Sequence, residues 1–214
     1  MIINIIVAYC NNYGIGKDNS LVWHIKSDMA KFKKLTIGNA NNAVIMGKNT
    51  FISLNNEYGL AHRDNLILSK SSIIDKHNGS NRVKSFENVQ CLENFVKSQN
   101  YDTVWVIGGE QIYRLFLDNY KKDESSIFNI AKIYITYINK DYECTSFFPD
   151  ITNYINKYNL LFYNKKVHNA ITNSTTNSIT NSTTNSTTNS TTNIVSNDDT
   201  SIMSNVFDIE YVFV

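Results

Sequence analysis

VWVIGGEQIYRLF, from Val104 to Phe116, holds an apolar, β-branched run that stops at Gly108-Gly109 and turns at once into a helical pattern. A strand followed directly by a helix, with no room for a turn, is the junction of an α/β sheet. Two readings of the glycines stand side by side. They make a tight strand-to-helix junction, or they clear the way to a helix N-terminus, whose free N–H groups and positive dipole end suit a diphosphate.

The rest of the chain repeats that alternation. Ile2–Ala8, Ala43–Met46, Asn65–Ser69, Thr103–Ile107 and Lys132–Ile138 read as strands. Ser27–Thr36, a short segment from Asn49, Phe86–Ser98 and Glu110–Asp118 read as helices. Two more strands, Asn159–Val167 and Ser204–Val214, form a closing hairpin; in the second, Phe207, Ile209, Tyr211 and Phe213 alternate with Asp208 and Glu210. Such a pattern predicts a mixed, mostly parallel central sheet flanked by helices, with antiparallel strands at one edge.

Between the hairpin strands lies a tract of another kind. Ile171 to Ile194 reads ITNS-TTNS-ITNS-TTNS-TTNS-TTNI. Ser, Thr and Asn compete for their own backbone and offer little to bury, so the region 169–200 is expected to be a disordered low-complexity insertion in one domain spanning 1–214. Its period is too short for a solenoid. Lengthening a loop from about 8 to about 30 residues costs only about 1 kcal/mol.

Composition narrows the function classes. The chain has 214 residues, 42% of them hydrophobic, and a net charge of +1, which provides a core and no bulk charge for nucleic acid or an anionic membrane. No apolar run is long enough to span a bilayer, and Met1 to Cys10 lacks the basic flank and cleavage site of a signal peptide. Cys10, Cys91 and Cys144 are odd in number and widely spaced, which fits a reducing, cytoplasmic setting better than a disulfide framework. The histidines His24, His62, His77 and His168 have no metal-ligand spacing, so no metal is expected.

In open α/β sheets ligands sit beyond the carboxyl ends of the strands. The segments there are NNYGIGKDNSLVW (11–23), GKNT (47–50), SKS (69–71) and Gly108-Gly109. GIG in the first of them is not a dinucleotide fingerprint, because no helix follows it. Asp28 in the first turn of a helix is either a dipole or cap partner or a functional carboxylate. Taken singly, Lys48 and Lys70 read more readily as surface charges, Trp23 and Phe32 as core, and Arg63 as a surface partner of Asp64 or Glu57.

Order and spacing together resemble dihydrofolate reductase. The pieces that carry the likeness are GIGKDNSLVW (14–23), SDMAKFK (27–33), VIMGKNTF (44–51), RDNLILS (63–69), VIGGEQIY (106–113), IYITYI (133–138), FFPD (147–150) and VFDIE (206–210), with Ala8 in the first strand. The resemblance covers everything except the repeat tract. The resemblance implies an eight-stranded sheet and an NADPH-dependent oxidoreductase of one-carbon metabolism that passes a hydride to 7,8-dihydrofolate, giving tetrahydrofolate. It also implies a monomer acting on a small molecule; the composition adds the expectation of a cytoplasmic protein with no nucleic-acid or membrane partner, and the last strand's place near residue 214 the expectation that no thymidylate synthase domain follows.

By that likeness Asp28 is the ionisable group of the pterin pocket, Thr136 supports it, and Trp23 and Leu21 complete the catalytic set, Leu21 at the tip of a lid. Met29, Phe32, Leu54 and Ile107 form apolar walls, while Ile6 and Ala8 contribute backbone. Arg63 binds the glutamate-tail carboxylate, a task for a planar guanidinium. Lys48, Thr50, Ser69 and Lys70 hold cofactor phosphates, the lysines favouring NADPH over NADH, and Gly47 and Asn49 complete that turn. Gly108 and Gly109 take the diphosphate at the helix start, in this family across a cis Gly-Gly bond, and Glu110, Gln111 and Ile112 are further cofactor-binding positions. Tyr113 lies by the nicotinamide, which Ala8 and Ile107 flank, and Ile15, Gly16 and Ser20 cover it from the lid.

Several positions depart from the family pattern. Val22 and Lys26 replace prolines, Ala61-His62 replaces Pro-Gly, Thr145 stands where many members have an aspartate that braces the lid, and Gln111 replaces a cofactor-side arginine. A related pterin or pyrimidine reductase and a non-catalytic binding module remain the competing readings. Asp28 with Arg63, and the retained glycine pair, speak against them in turn.

Overall fold

A computed structural model describes residues 1–71, 82–158, 160–167 and 206–213. The elements in chain order are β1 (Ile2–Cys10), β2 (Gly14–Gly16), α1 (Lys26–Ile37), β3 (Asn42–Gly47), α2 (Lys48–Ser53), β4 (Asp64–Leu68), β5 (Val83–Phe86), α3 (Val89–Ser98), β6 (Thr103–Gly108), α4 (Glu110–Asp118), β7 (Ile130–Ile138), β8 (Ser146–Phe147), α5 (Ile151–Tyr158), β9 (Leu161–Val167) and β10 (Val206–Val212). Eight strands form one sheet in the order β5-β4-β3-β6-β1-β7-β10-β9. Pairings from β5 through β7 are parallel, and β7-β10-β9 is antiparallel. The mixed, mostly parallel sheet and its antiparallel edge are as the sequence predicts. The repeat tract lies outside the described residues.

The central strands are apolar without alternation because both faces are covered. The pleat still sorts their side chains. Ile3, Ile5, Val7, Val104 and Val106 pack with Leu92 and Val96 of α3, Ile112 and Phe116 of α4, and Tyr154 of α5. Ile6, Val44, Met46 and Trp105 face the other way and meet Phe32 and Leu35 of α1 and Phe51 of α2. Both layers leave the carboxyl ends of β1, β3, β4, β5 and β6 pointing to one side.

Three differences from the sequence reading have local causes. The helix read as Phe86–Ser98 is two elements: Phe86 ends an edge strand paired with β4, and α3 begins at Val89, where the Asn88 side chain accepts from the Cys91 amide at 2.9 Å. The polar residues Lys84 and Ser85 hid β5, which is a strand only because β4 pairs with it. Helix α5 also went unread, although Asp150 accepts from the Thr152 amide at 3.0 Å and Ile151 and Tyr154 are buried at helical spacing. The ribbon β2–β8 joins segments too far apart in sequence to be anticipated.

Candidate active site

A cleft of about 1410 Å³ opens beyond the carboxyl ends of the parallel strands. It is larger than a pocket for one drug-sized molecule, roughly 300–1,000 Å³, and has room for two ligands side by side.

At one end stands α1. Its first turn places Asp28 in the cleft wall, 6% exposed, with Met29 and Phe32 beside it. Leu54, Ile107, Ile6 and Ala8 complete this apolar end. Tyr113 closes it from α4, donating its hydroxyl to the Ile6 carbonyl at 2.9 Å. Burial, and then the Asp28 charge, push the Tyr113 phenol far above its ordinary range, so it remains a neutral donor.

Arg63 lies deeper than a surface partner of Asp64 or Glu57 would. It is 4% exposed and lines the cleft. Its Nε donates to the Ala61 carbonyl at 3.0 Å, its Nη1 donates to the Thr36 hydroxyl, and the guanidinium sits 5.9 Å from the Phe32 ring centre. The Thr36 hydroxyl in turn donates to the Phe32 carbonyl at 2.7 Å. Burial draws the Arg63 pKa downward, yet so strong a base stays charged. A guanidinium has five N–H donors. Two are engaged with described residues, so a carboxylate in the cleft has donors to meet. Next to it, His62 holds φ at +63°, in the left-handed region where the family's glycine would sit without penalty.

The other end is more polar. Gly47, Lys48, Asn49 and Thr50 follow β3, and Ser69 and Lys70 follow β4. Lys48 donates to Ser71 Oγ at 2.8 Å, and Ser69 Oγ donates to the Ser71 carbonyl at 2.8 Å. Between the two ends, Gly109, Glu110, Gln111 and Ile112 open α4 into the cleft. The Gly108-Gly109 peptide is cis. Gly108 is buried behind the wall with φ at +100°, and a Cβ there would lie 2.6 Å from the Tyr113 ring. A Cβ on Gly109 would lie 3.3 Å from Thr50 Oγ1. The glycines thus serve both readings of the junction: they allow the tight turn and bring a helix N-terminus to the cleft.

The first loop covers the middle. Ile15, Gly16, Ser20 and Leu21 line the cleft, Leu21 being 53% exposed. Asp18 and Asn19, both at positive φ, turn the loop between paired Lys17 and Ser20. The loop is braced by the segment entering β8. Thr145 N donates to the Gly16 carbonyl at 2.9 Å, and Thr145 Oγ1 accepts from Asp18 N at 3.2 Å. A threonine hydroxyl therefore makes the contact for which an aspartate was expected. Lys17 and Glu143 add an exposed ion pair at 2.8 Å, worth little by itself.

Two residues of the expected catalytic set stand behind the cleft wall. Trp23 is buried under the loop against Tyr142, with ring centres 5.5 Å apart. Thr136 is 3% exposed on β7. It accepts from Lys31 Nζ at 3.4 Å and donates to Asp208 Oδ1 at 3.5 Å, while Lys31 and Asp208 pair at 2.5 Å. The register that sets Asp208 opposite Thr136 builds this network. Sequence reasoning missed Asn88 and Val89, which line the polar end beside the anticipated Ser71. Recognising β5 would have led to both, since they follow its carboxyl end.

Comparison with known proteins points to one family. Residues 2–182 match the family model described as dihydrofolate reductase. The dihydrofolate reductase of Heliothis virescens is 33% identical over 155 residues, covering 70% of this chain and 80% of the relative. That of Haemophilus influenzae is 34% identical over 151 residues, covering 71% and 81%. Among solved structures, dihydrofolate reductase from Enterococcus faecalis complexed with NADP(H) and RAB-propyl has the same fold, with a TM-score of 0.65, 17% identity, and coverage of 99% of this chain and 96% of that one.

Proposed function

The chain belongs to the dihydrofolate reductase family, and we propose on that premise how its residues divide the work of an NADPH-dependent reduction of 7,8-dihydrofolate to tetrahydrofolate. One observation carries the reading. A single cleft holds a buried carboxylate, Asp28, at one end, a buried guanidinium, Arg63, on the same wall, and a helix N-terminus opened by Gly109 beside them.

Those residues fit the cofactor. The α4 N-terminus and Gly109 offer free N–H groups without a Cβ in the way, and Lys48, Lys70, Ser69 and Thr50 supply cations and hydroxyls for phosphates. Lys48 and Lys70 favour a cofactor with an additional phosphate, hence NADPH. NADPH, when bound, supplies the hydride. Asp28 accepts hydrogen bonds from the pterin's amino group and ring N–H, which fixes the ring's orientation. Its buried negative charge also favours protonation of the substrate nitrogen next to the carbon that is reduced, and stabilises the positive charge developing there. Met29, Phe32, Leu54 and Ile107 exclude water from the ring, and Arg63 holds the tail carboxylate. The Tyr113 hydroxyl fixes the Ile6 carbonyl beside the pterin. Leu21 and its loop close over the reacting atoms, and Thr145 holds that loop.

The reading includes a monomer that works alone on a small molecule. Three free thiols support a cytoplasmic setting. Among the described residues no helix is long and apolar enough to cross a membrane. The test is loss of NADPH absorbance on adding dihydrofolate to the full chain. Oxidation that needs both ligands supports the reading; a folded protein that binds NADPH but leaves it unoxidised overturns it.

A further inference from the structure

β1 ends at Cys10, and the segment entering β8 carries Cys144; their sulfurs lie 3.7 Å apart although the residues are 134 positions apart in sequence. Cys10 is buried and Cys144 is partly exposed, and both are free thiols. Both sulfurs close on Gly14, the first residue of β2: a Cβ there would lie 2.6 Å from Cys144 Sγ and 2.9 Å from Cys10 Sγ. Cys144 also sits between Glu143, which pairs with Lys17, and Thr145, which holds Gly16 and Asp18. The thiol pair therefore lies beneath the hinge of the loop that covers the cleft.

We propose that Cys10 and Cys144 form a redox modification site, a dithiol that a low-molecular-weight disulfide oxidises to an intramolecular disulfide, locking the loop's brace and slowing cofactor release. The effect on release rests on the reductase reading above; the cross-link itself does not.

The chemistry balances as two thiol–disulfide exchanges. The Cys144 thiolate, which solvent reaches, attacks one sulfur of the reagent and displaces a reagent thiolate, which takes up the proton Cys144 has lost. The Cys10 thiolate then attacks Cys144 Sγ and displaces the second reagent thiolate, which is protonated in the same way. One S–S bond breaks, one forms, and two electrons pass to the reagent. Closing the pair brings the sulfurs to about 2.05 Å, a movement shared between a strand end and a loop. Burial, then the contact with Cys144, pushes the Cys10 thiol up to about 11 in the reduced pair; the burial, the larger cause, outlasts the first exchange and makes the second the slow one.

The experiment uses the full chain with Cys91→Ser, which removes the exposed third thiol. The reduced protein is incubated with glutathione disulfide, its intact mass and peptide map are recorded, and NADPH release is followed by stopped-flow fluorescence. Expected are the loss of two hydrogen masses, a peptide joining residues 10 and 144, and release at least about threefold slower, all reversed by dithiothreitol. Cys10→Ser and Cys144→Ser in the same background should show neither the mass loss nor the slowing. Two thiols that still alkylate after oxidation would overturn the site. A disulfide with unchanged release overturns the lock, and a reduced protein that fails to bind NADPH overturns the reductase reading while leaving the cross-link standing.

Discussion

Replacing Asp28 by asparagine keeps the side-chain shape and removes the charge. Asp28 is 6% exposed and lines the cleft, so water neither screens nor replaces its contacts. A carboxylate offers two acceptor oxygens to two pterin N–H donors, whereas an amide offers one and turns an NH2 toward the other. Losing one charge-assisted hydrogen bond costs about 1.5–3 kcal/mol, and the remaining bond weakens by about 1 kcal/mol when its acceptor becomes neutral. A total of about 2.5–4 kcal/mol corresponds to a loss of roughly 10²- to 10³-fold in kcat/KM at neutral pH. The deficit should narrow toward acid pH, where solvent supplies the proton that the carboxylate otherwise favours. NADPH oxidation measured across pH on wild type and Asp28→Asn, with thermal unfolding as a control for folding, decides the matter. A loss below about fivefold in a variant of unchanged stability would refute the reasoning, because so small a value leaves no room for the lost bond.

Three further outcomes can be checked. His62→Gly should stabilise the protein against urea by about 0.5–1 kcal/mol, because relief of a left-handed conformation at φ +63° exceeds the added chain entropy of glycine; an unchanged or lower urea midpoint contradicts this. Tyr154 donates to Asp118 Oδ1 at 2.6 Å, and burial followed by that carboxylate raises its phenol from 10.0 to about 12. Its contribution to stability is complete below pH 10 and is lost as pH rises toward 12, since the unfolded chain releases the proton first. Tyr154→Phe should therefore lose about 1 kcal/mol at pH 7 and show a shallower alkaline decline in denaturant titrations. Deleting residues 171–194 should leave kcat/KM within about twofold and raise stability by about 0.9 kcal/mol through the shorter closure between β9 and β10; a large fall in activity in a folded deletion variant would give the repeat a role.

Much of the architecture was legible because its signals are local. Apolar runs such as VWVI mark strands covered on both faces, the phase of Met29, Phe32 and Leu35 marks a helix, and Gly108-Gly109 marks a junction that side chains would block. The same locality explains why cleft-lining groups could be named in advance: in a parallel sheet the residues just past each strand share one side. Elements defined by a partner were lost. β5 is a strand through β4, and β2 and β8 are strands only through each other.

By itself, then, the amino-acid sequence determined the alternation of strands and helices, the glycines at the junctions, and which charged and polar groups stand at the strands' carboxyl ends. These follow from backbone sterics and from burial repeated at short period, both properties of neighbouring residues. Only the tertiary structure decided that Thr145 holds the loop at Gly16 and Asp18, that Arg63 is buried against Thr36, that Lys31 joins Asp208 to Thr136, and that Cys10 meets Cys144. Such contacts arise when packing of the sheet brings distant segments within a few ångströms, and no property of either segment alone encodes which partner it will find.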